Sequence, residues 1–501
     1  MEPPRRRLRD IRAIPPSPPA PSVAPAALSP VEQRLEVPRP LIVVAAFGAA
    51  FIVGVALAQG LALGLAALIA FCWAPLVLLN LPLAIVLWVP LVFLHDITAL
   101  RFGPQLASMI IFFAWIGTLV GASVPARRLL AAQRRYLVPI AALLLWLTVS
   151  SAWSDQAAFA QEVWFAWLQG ALLFLVVVTT FVAERYLRLL VGAFVVGALI
   201  AVLIGLLGTG LTSSDTALDT AAGGRLVGGS GDPNYLAAGI IPAVVLAAGL
   251  AAATPSLLGR VGAAVVIGLL TIGFVGSQSR GGLVAAVVAV VAALAIFKRA
   301  RTAVLVFLLL MGAVGSAWYA ANPDAWERIS SFDGSGTGRS ELWTIAWQMG
   351  GDHPVTGVGL DNFVVRSPSY ADQAGALEHA GFIAEVPHVV HNVYLQLLAE
   401  TGVIGLALFL VVVVASMRAA GTAARRFTAS GNAGMATLSR SVLVAQIAML
   451  AASFFLSNGH DRRTWVLLAL GPALAAVSGR SQEGGGSKAP TSPPLAQLLG
   501  R

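Results

Sequence analysis

The sequence predicts an all-α fold, a polytopic transmembrane helical bundle of 12–14 spans with one long, partly helical extracytoplasmic loop. Of the 501 residues, 58% are hydrophobic and 11% charged, whereas a soluble domain carries roughly 25% charge. Mean hydropathy is +0.83. From Leu41 onward, apolar runs separated by short polar breaks recur, and about 20 helical residues cross a bilayer core. The net charge of +9 does not signal nucleic acid, because cationic binders spread their charge over a polar surface that this chain lacks. Cys72 is the only cysteine, so the chain forms no internal disulfide.

Residues 1–40 are rich in Pro and Arg, lack the apolar stretch of a cleaved signal peptide, and are expected to form a disordered cytoplasmic tail. Residues 41–208 hold seven spans, near 41–58, 61–79, 81–95, 104–121, 136–151, 165–182 and 187–208. Residues 209–320 add spans near 234–252, 258–276, 281–297 and 301–320, with outer loops that carry Arg225 and Arg280. The extracytoplasmic loop is placed at 321–391. Residues 392–478 close the bundle with spans near 392–415, 440–456 and 463–478. A Gly/Ser/Pro-rich cytoplasmic tail, 479–501, is expected to be disordered. The runs at 81–95, 136–151 and 440–456 are short enough to be re-entrant or merged with neighbours, which sets the lower count.

Within the long loop, Ser340 is expected to cap a short helix bearing Leu342, Trp343, Ile345 and Trp347. His353-Pro354 would end it, and Gly357 and Gly359 would turn the chain. Trp343 and Trp347, four apart, suit a helix at the lipid interface or one packed on the loop's own core.

Charge orients the bundle. With the N-terminus inside, cytoplasmic segments carry 24 Lys and Arg and outward segments carry eight, the bias that membrane insertion imposes. Net charge is then +18 inside and −9 outside. Both termini are therefore expected in the cytoplasm, in a bacterial cytoplasmic (inner) membrane. The spans themselves contain almost no ionisable residues, unlike proton-coupled transporters, so any chemistry belongs at the outer face.

An outward arginine opposes the bias and calls for a reason. Arg225 lies in a Gly-rich segment before Asp232-Pro233-Asn234, Arg280 in the tight turn between the ninth and tenth spans, and Arg339 at the start of the loop helix. Singly, each could bind a lipid headgroup or cap carbonyls. Together they suit a phosphorylated ligand, because a planar guanidinium offers paired donors to phosphate oxygens. His388 and His391 stand where the loop re-enters the membrane. Neither nearby cysteine nor a well-spaced carboxylate completes a zinc site, and no Asp-x-Asp motif is present. No metal and no cofactor are expected. His391 suits a helix entrance or a general base, and nearby arginines would keep it neutral.

These residues resemble the O-antigen ligase and O-antigen polymerase superfamily of bacterial membrane proteins. The resemblance rests on His391-Asn392-x-Tyr394-Leu395-Gln396 with Glu400 and Gly402, on Gly338-Arg339-Ser340 with Trp343, and on Pro354, Gly357, Gly359 and Phe363. Ser277-Gln278-Ser279-Arg280-Gly281-Gly282 and Arg225 with Asp232-Pro233-Asn234 extend it, over about 220–410. The resemblance implies a GT-C type glycosyltransferase whose donor is a polyprenyl-diphosphate-linked glycan and whose acceptor is a hydroxyl on a glycan, a lipid-linked molecule or another substrate. It implies that Arg225 and Arg280 bind the diphosphate, with Arg339 as a further candidate, and that His391 activates the acceptor. His388, Asn392, Asn234 and Asp232 are supporting candidates. A lipid-linked glycan flippase and a non-catalytic cell-envelope scaffold are the competing readings.

Overall fold

The computed structural model describes residues 61–94, 103–120, 130–207, 218–219, 224–330, 338–373 and 388–486. The 1–40 tail and the predicted span 41–58 lie outside the described residues, as do 209–217, 374–387 and 487–501. The first half comprises α1 (Leu61–Leu79), α2 (Leu81–Trp88, continued by a 3-10 turn, Val89–Phe93), α3 (Gly103–Val120), α4 (Arg134–Ser150), α5 (Ala157–Thr180) and α6 (Glu184–Leu207). Two short strands, β1 (Leu218–Asp219) and β2 (Arg225–Leu226), precede α7 (Pro233–Ala253), α8 (Leu257–Gly276), α9 (Arg280–Ile296) and α10 (Arg301–Ala321). The loop carries α11 (Pro323–Ser330), α12 (Arg339–Asp352) and α13 (Phe363–Gln373). Last come α14 (Val393–Ala429), α15 (Ala433–Ala452) and α16 (Arg462–Gly486).

Each predicted span within the described residues coincides with one of these helices, and the protein is a multi-pass, all-α membrane protein. Among the described residues, eight helices are long and apolar enough to cross a membrane, and four apolar helices are shorter. α16 belongs to neither group, although it is the most enclosed: Trp465 to Leu470 are at most 1% exposed. A helix ringed by helices touches little lipid, so it tolerates Arg463, Thr464 and Ser478. It also runs to Gly486 rather than ending at 478, and α14 runs to Ala429 rather than 415. Hydropathy marks only the apolar stretch; in α14 the helix continues through Ala- and Arg-rich sequence that forms helix well, whereas the Gly-rich end of α16 continues without such propensity.

Close approach and interhelical hydrogen bonds hold this core, as expected where lipid supplies no hydrophobic drive. A Cβ at Gly170 would lie 2.3 Å from the Trp465 ring, and one at Gly471 would lie 2.3 Å from the Ser416 carbonyl oxygen. Gln446 Nε2 on α15 donates to Leu467 O at 2.8 Å and to Ser416 Oγ at 2.9 Å, joining α14, α15 and α16. β1 and β2 pair antiparallel, with Asp219 opposite Arg225. Two-residue strands are too short for alternation to reveal them in a sequence.

The loop packs on its own small core, formed by Leu342, Ile345, Ala346 and Met349 of α12 with Val358, Phe363, Val390 and Ala399. The two tryptophans therefore part: Trp343 meets Phe454 edge to face at 5.3 Å and donates to Val390 O, whereas Trp347 is 66% exposed. Ser340 is not the cap of α12. Gly338, at φ 64°, occupies that position, and Ser340 Oγ bonds Glu341 instead. α13 is clamped to the bundle by Arg366, whose Nε and a terminal nitrogen donate to Asp155 at 2.7 and 3.0 Å.

The loop is stitched into α14 at a break. Gly402 has φ 66° and ψ −171° inside the helix, which leaves the carbonyls before it without helical donors. Val358 N donates to Ala399 O, Gly359 N to Glu400 O, and Trp146 Nε1 to Thr401 O, all at 2.8–2.9 Å. A Cβ on Gly402 would lie 2.2 Å from the Val355 carbonyl oxygen. Gly402→Ala is therefore expected to destabilise the protein by more than the roughly 1–2 kcal/mol of a left-handed L-residue, since backbone must also move. Thermal unfolding in detergent reads this directly, and an unchanged midpoint would contradict the close approach.

Candidate functional site

Four helices begin in one region, at the end of the bundle that carries the long loop. α7 starts at Asp232, whose carboxylate accepts from Asn234 N and Tyr235 N at 2.7 and 3.0 Å. α9 starts at Ser279, whose hydroxyl accepts from Gly282 N, and α14 at Asn392, whose side-chain oxygen accepts from Tyr394 N and Leu395 N. α12 starts at Gly338 without a side-chain cap. Helix N-termini carry partial positive charge and point N–H groups outward, a setting that favours anions.

Arg225 enters this region from β2. Its Nε donates to Ser277 O and a terminal nitrogen to Asn234 Oδ1, both at 2.9 Å. Ser279 Oγ donates to the same Asn234 oxygen at 2.8 Å. One amide oxygen thus joins the Arg225 hairpin to the turn that presents Arg280, an exposed residue in the first position of α9. That turn is tight enough to hold Gln278 at φ 48°.

His391 has φ 52°, a left-handed conformation uncommon for a residue with a side chain and concentrated at functional sites. Its N–H donates to Ser457 Oγ at 3.1 Å, and the Asn392 cap follows directly. Burial and then the Arg339 charge push the His391 imidazole down to about 4, with His388 adding to the effect and Asp232 opposing it. Arg339 is itself lowered by burial and raised by Asp232. His391 therefore feels the charges of Arg339, Asp232 and His388, and Arg339 feels that of Asp232, which places Arg339 and His391 near the Asp232-Pro233-Asn234 segment that also holds Arg225. The imidazole is neutral at pH 7 and able to accept a proton. Among the described residues, no group of three or more His, Cys, Asp or Glu is arranged to hold a metal ion.

The loop between α15 and α16 supplies residues that sequence reasoning did not select. Tyr235 Oη donates to Ser457 O at 3.1 Å. Arg463, 2% exposed, pairs with Asp461 and donates to Tyr235 O at 3.1 Å. A continuous path thus runs from Arg225 through Asn234 and Tyr235 to Ser457 and His391. Its sequence signal is the polar stretch Ser457–Arg463, where two arginines adjoin an aspartate.

Residues 263–410 match the family model of O-antigen ligase. The matched segment includes Arg280, Arg339, His388, His391 and Asn392, while Arg225, Asp232 and Asn234 precede it. No curated protein gives a significant match to the chain.

Proposed function

From its membership of the O-antigen ligase and polymerase superfamily, which makes it a glycosyl-transferring enzyme acting on lipid-linked glycan and an acceptor, we propose a specific reaction for this chain. The protein transfers or polymerises a glycan from a polyprenyl-diphosphate-linked donor onto an acceptor hydroxyl, with inversion and without a metal. It acts at the outer face of the bacterial cytoplasmic membrane, an orientation supported by the distribution of Lys and Arg between loops.

His391 takes the proton of the acceptor hydroxyl as its oxygen bonds the anomeric carbon. The bond from that carbon to the diphosphate oxygen breaks, and polyprenyl diphosphate leaves with the electron pair. Arg225, Arg280 and Arg339, together with the uncapped start of α12, stabilise the charge growing on phosphate. Asp232 and Asn392 hold the starts of α7 and α14, and Asn234 fixes the plane of Arg225. The carrying observation is the meeting of two units on one short segment: Arg225 on Asn234, and the Arg339–His391 pair beside Asp232.

The test uses purified protein in lipid nanodiscs with a polyprenyl-diphosphate oligosaccharide, with and without a glycan acceptor. Acceptor-dependent release of polyprenyl diphosphate, unchanged by EDTA, is the expected result. Translocation of the donor across vesicles with no transfer, or loss of transfer in EDTA, would overturn the proposal.

A further inference from the structure

A second place suited to a phosphate lies along another side of α16. α3 and α5 touch where Trp115 Nε1 donates to Thr179 Oγ1 at 2.9 Å. Toward the N-terminal ends of both helices lies a cavity of about 150 Å³, lined by both and by Arg462. Apart from Gln105, Ser108, Gln169 and Arg462, its walls are apolar, with Met109 and Phe112 on the α3 side. Met109 is 55% exposed on the lipid-facing surface, so the cleft is open to the bilayer.

The two arginines that open α16 face different neighbours, because successive helical residues are turned by about 100°. Arg463 is held by Asp461 and Tyr235 O. Arg462 turns into the cleft, where its one hydrogen bond among the described residues goes to Gln169 Oε1. A guanidinium has five N–H donors. Asp461, its neighbour in the chain and the partner of Arg463, offsets part of the Arg462 charge, but a half-shared carboxylate outside the cleft leaves a cation among apolar walls that a further anion would stabilise.

We infer that this cleft binds an anionic bilayer phospholipid, with the phosphate on Arg462 and one acyl chain between α3 and α5. Arg462 projects toward α5, whereas the Asp232–Asn234 segment adjoins Arg463, so the occupant is distinct from the glycan donor. The small volume admits part of a single chain.

Native mass spectrometry of the full chain, released from nanodiscs of mixed phosphatidylglycerol and phosphatidylcholine, tests this. Wild type should retain phosphatidylglycerol preferentially. Arg462→Gln should lower that retention about fivefold, the worth of one cation near an anionic headgroup. Met109→Trp, which fills the cleft from a lipid-exposed position, should lower it without changing charge. Equal retention of the two lipids by wild type, wild-type retention by both variants, or loss in Arg225→Ala but not in Arg462→Gln would overturn the inference. Displacement of phosphatidylglycerol by an equal concentration of long-chain prenyl phosphate would overturn the assignment to a bilayer lipid.

Discussion

Arg225→Lys is expected to lower glycan transfer by about 10²–10³-fold, the usual loss when one preorganised donor to a developing anion is removed. The charge survives, so an effect that depended on charge alone would vanish in this variant. What is lost is the fork. Arg225 uses Nε on Ser277 O and a terminal nitrogen on Asn234 Oδ1 to fix its plane, and a planar guanidinium so fixed presents parallel N–H groups to a diphosphate. A lysine ammonium has three donors on a flexible stem and cannot hold both anchors while meeting two phosphate oxygens. The measurement is the initial rate of polyprenyl diphosphate release, alongside thermal unfolding to show that the bundle is intact. A lysine variant working at the wild-type rate would remove Arg225 from the leaving-group site. Asn234→Ala should lower the rate less, because the Ser277 anchor remains.

The eight arginines that the charge bias predicts to face outward separate what could be read from sequence and what could not. Charge bias against insertion singled them out, and that reasoning needs only loops and signs. It could not sort them, because the partners are distant along the chain. Arg366 pairs with Asp155, more than two hundred residues away, and clamps the loop to the bundle. Arg463 joins Asp461 to Tyr235 O, and Arg462 enters a cleft between α3 and α5. Arg225, Arg280 and Arg339 stand apart in sequence by their glycine-rich surroundings, and the fold brings their segments together because Asp232, Ser279 and Gly338 all begin helices in one region.

Helices were legible for the same reason that their ends were not. A span must be apolar to lie in lipid, so hydropathy finds it, yet α14 and α16 continue past their apolar stretches, to Ala429 and Gly486. The break at Gly402 was legible only as a glycine in a motif. Its meaning comes from Val355, whose carbonyl oxygen occupies the space a side chain would need. Ser457 carries no sequence signal of its own, because its role is to accept the N–H of His391, a contact across 66 residues.

His391→Gln should lower transfer by about 10²–10⁴-fold, roughly 3–5 kcal/mol of barrier, with donor binding nearly unchanged. The pH profile separates a base from a residue that merely packs. In the free protein, burial and Arg339 push the imidazole down to about 4, so it is unprotonated throughout the range from pH 5 to 8. kcat/KM, which reports the free enzyme, should therefore show no acid limb from His391 above about pH 5. A bound diphosphate brings negative charge beside Arg339, which favours the protonated imidazole and raises its pKa. kcat, which reports the bound complex, should then fall as pH falls through that higher value. The displacement brings the base nearer neutrality, where proton abstraction at physiological pH is most effective. Two substitutions give the sign. Arg339→Gln removes a positive neighbour, so the His391 pKa rises and the acid limb moves to higher pH. Asp232→Asn removes a negative neighbour, so the limb moves to lower pH. Movement of both in the same direction, or an acid limb that persists in His391→Gln, would assign the titration to another group.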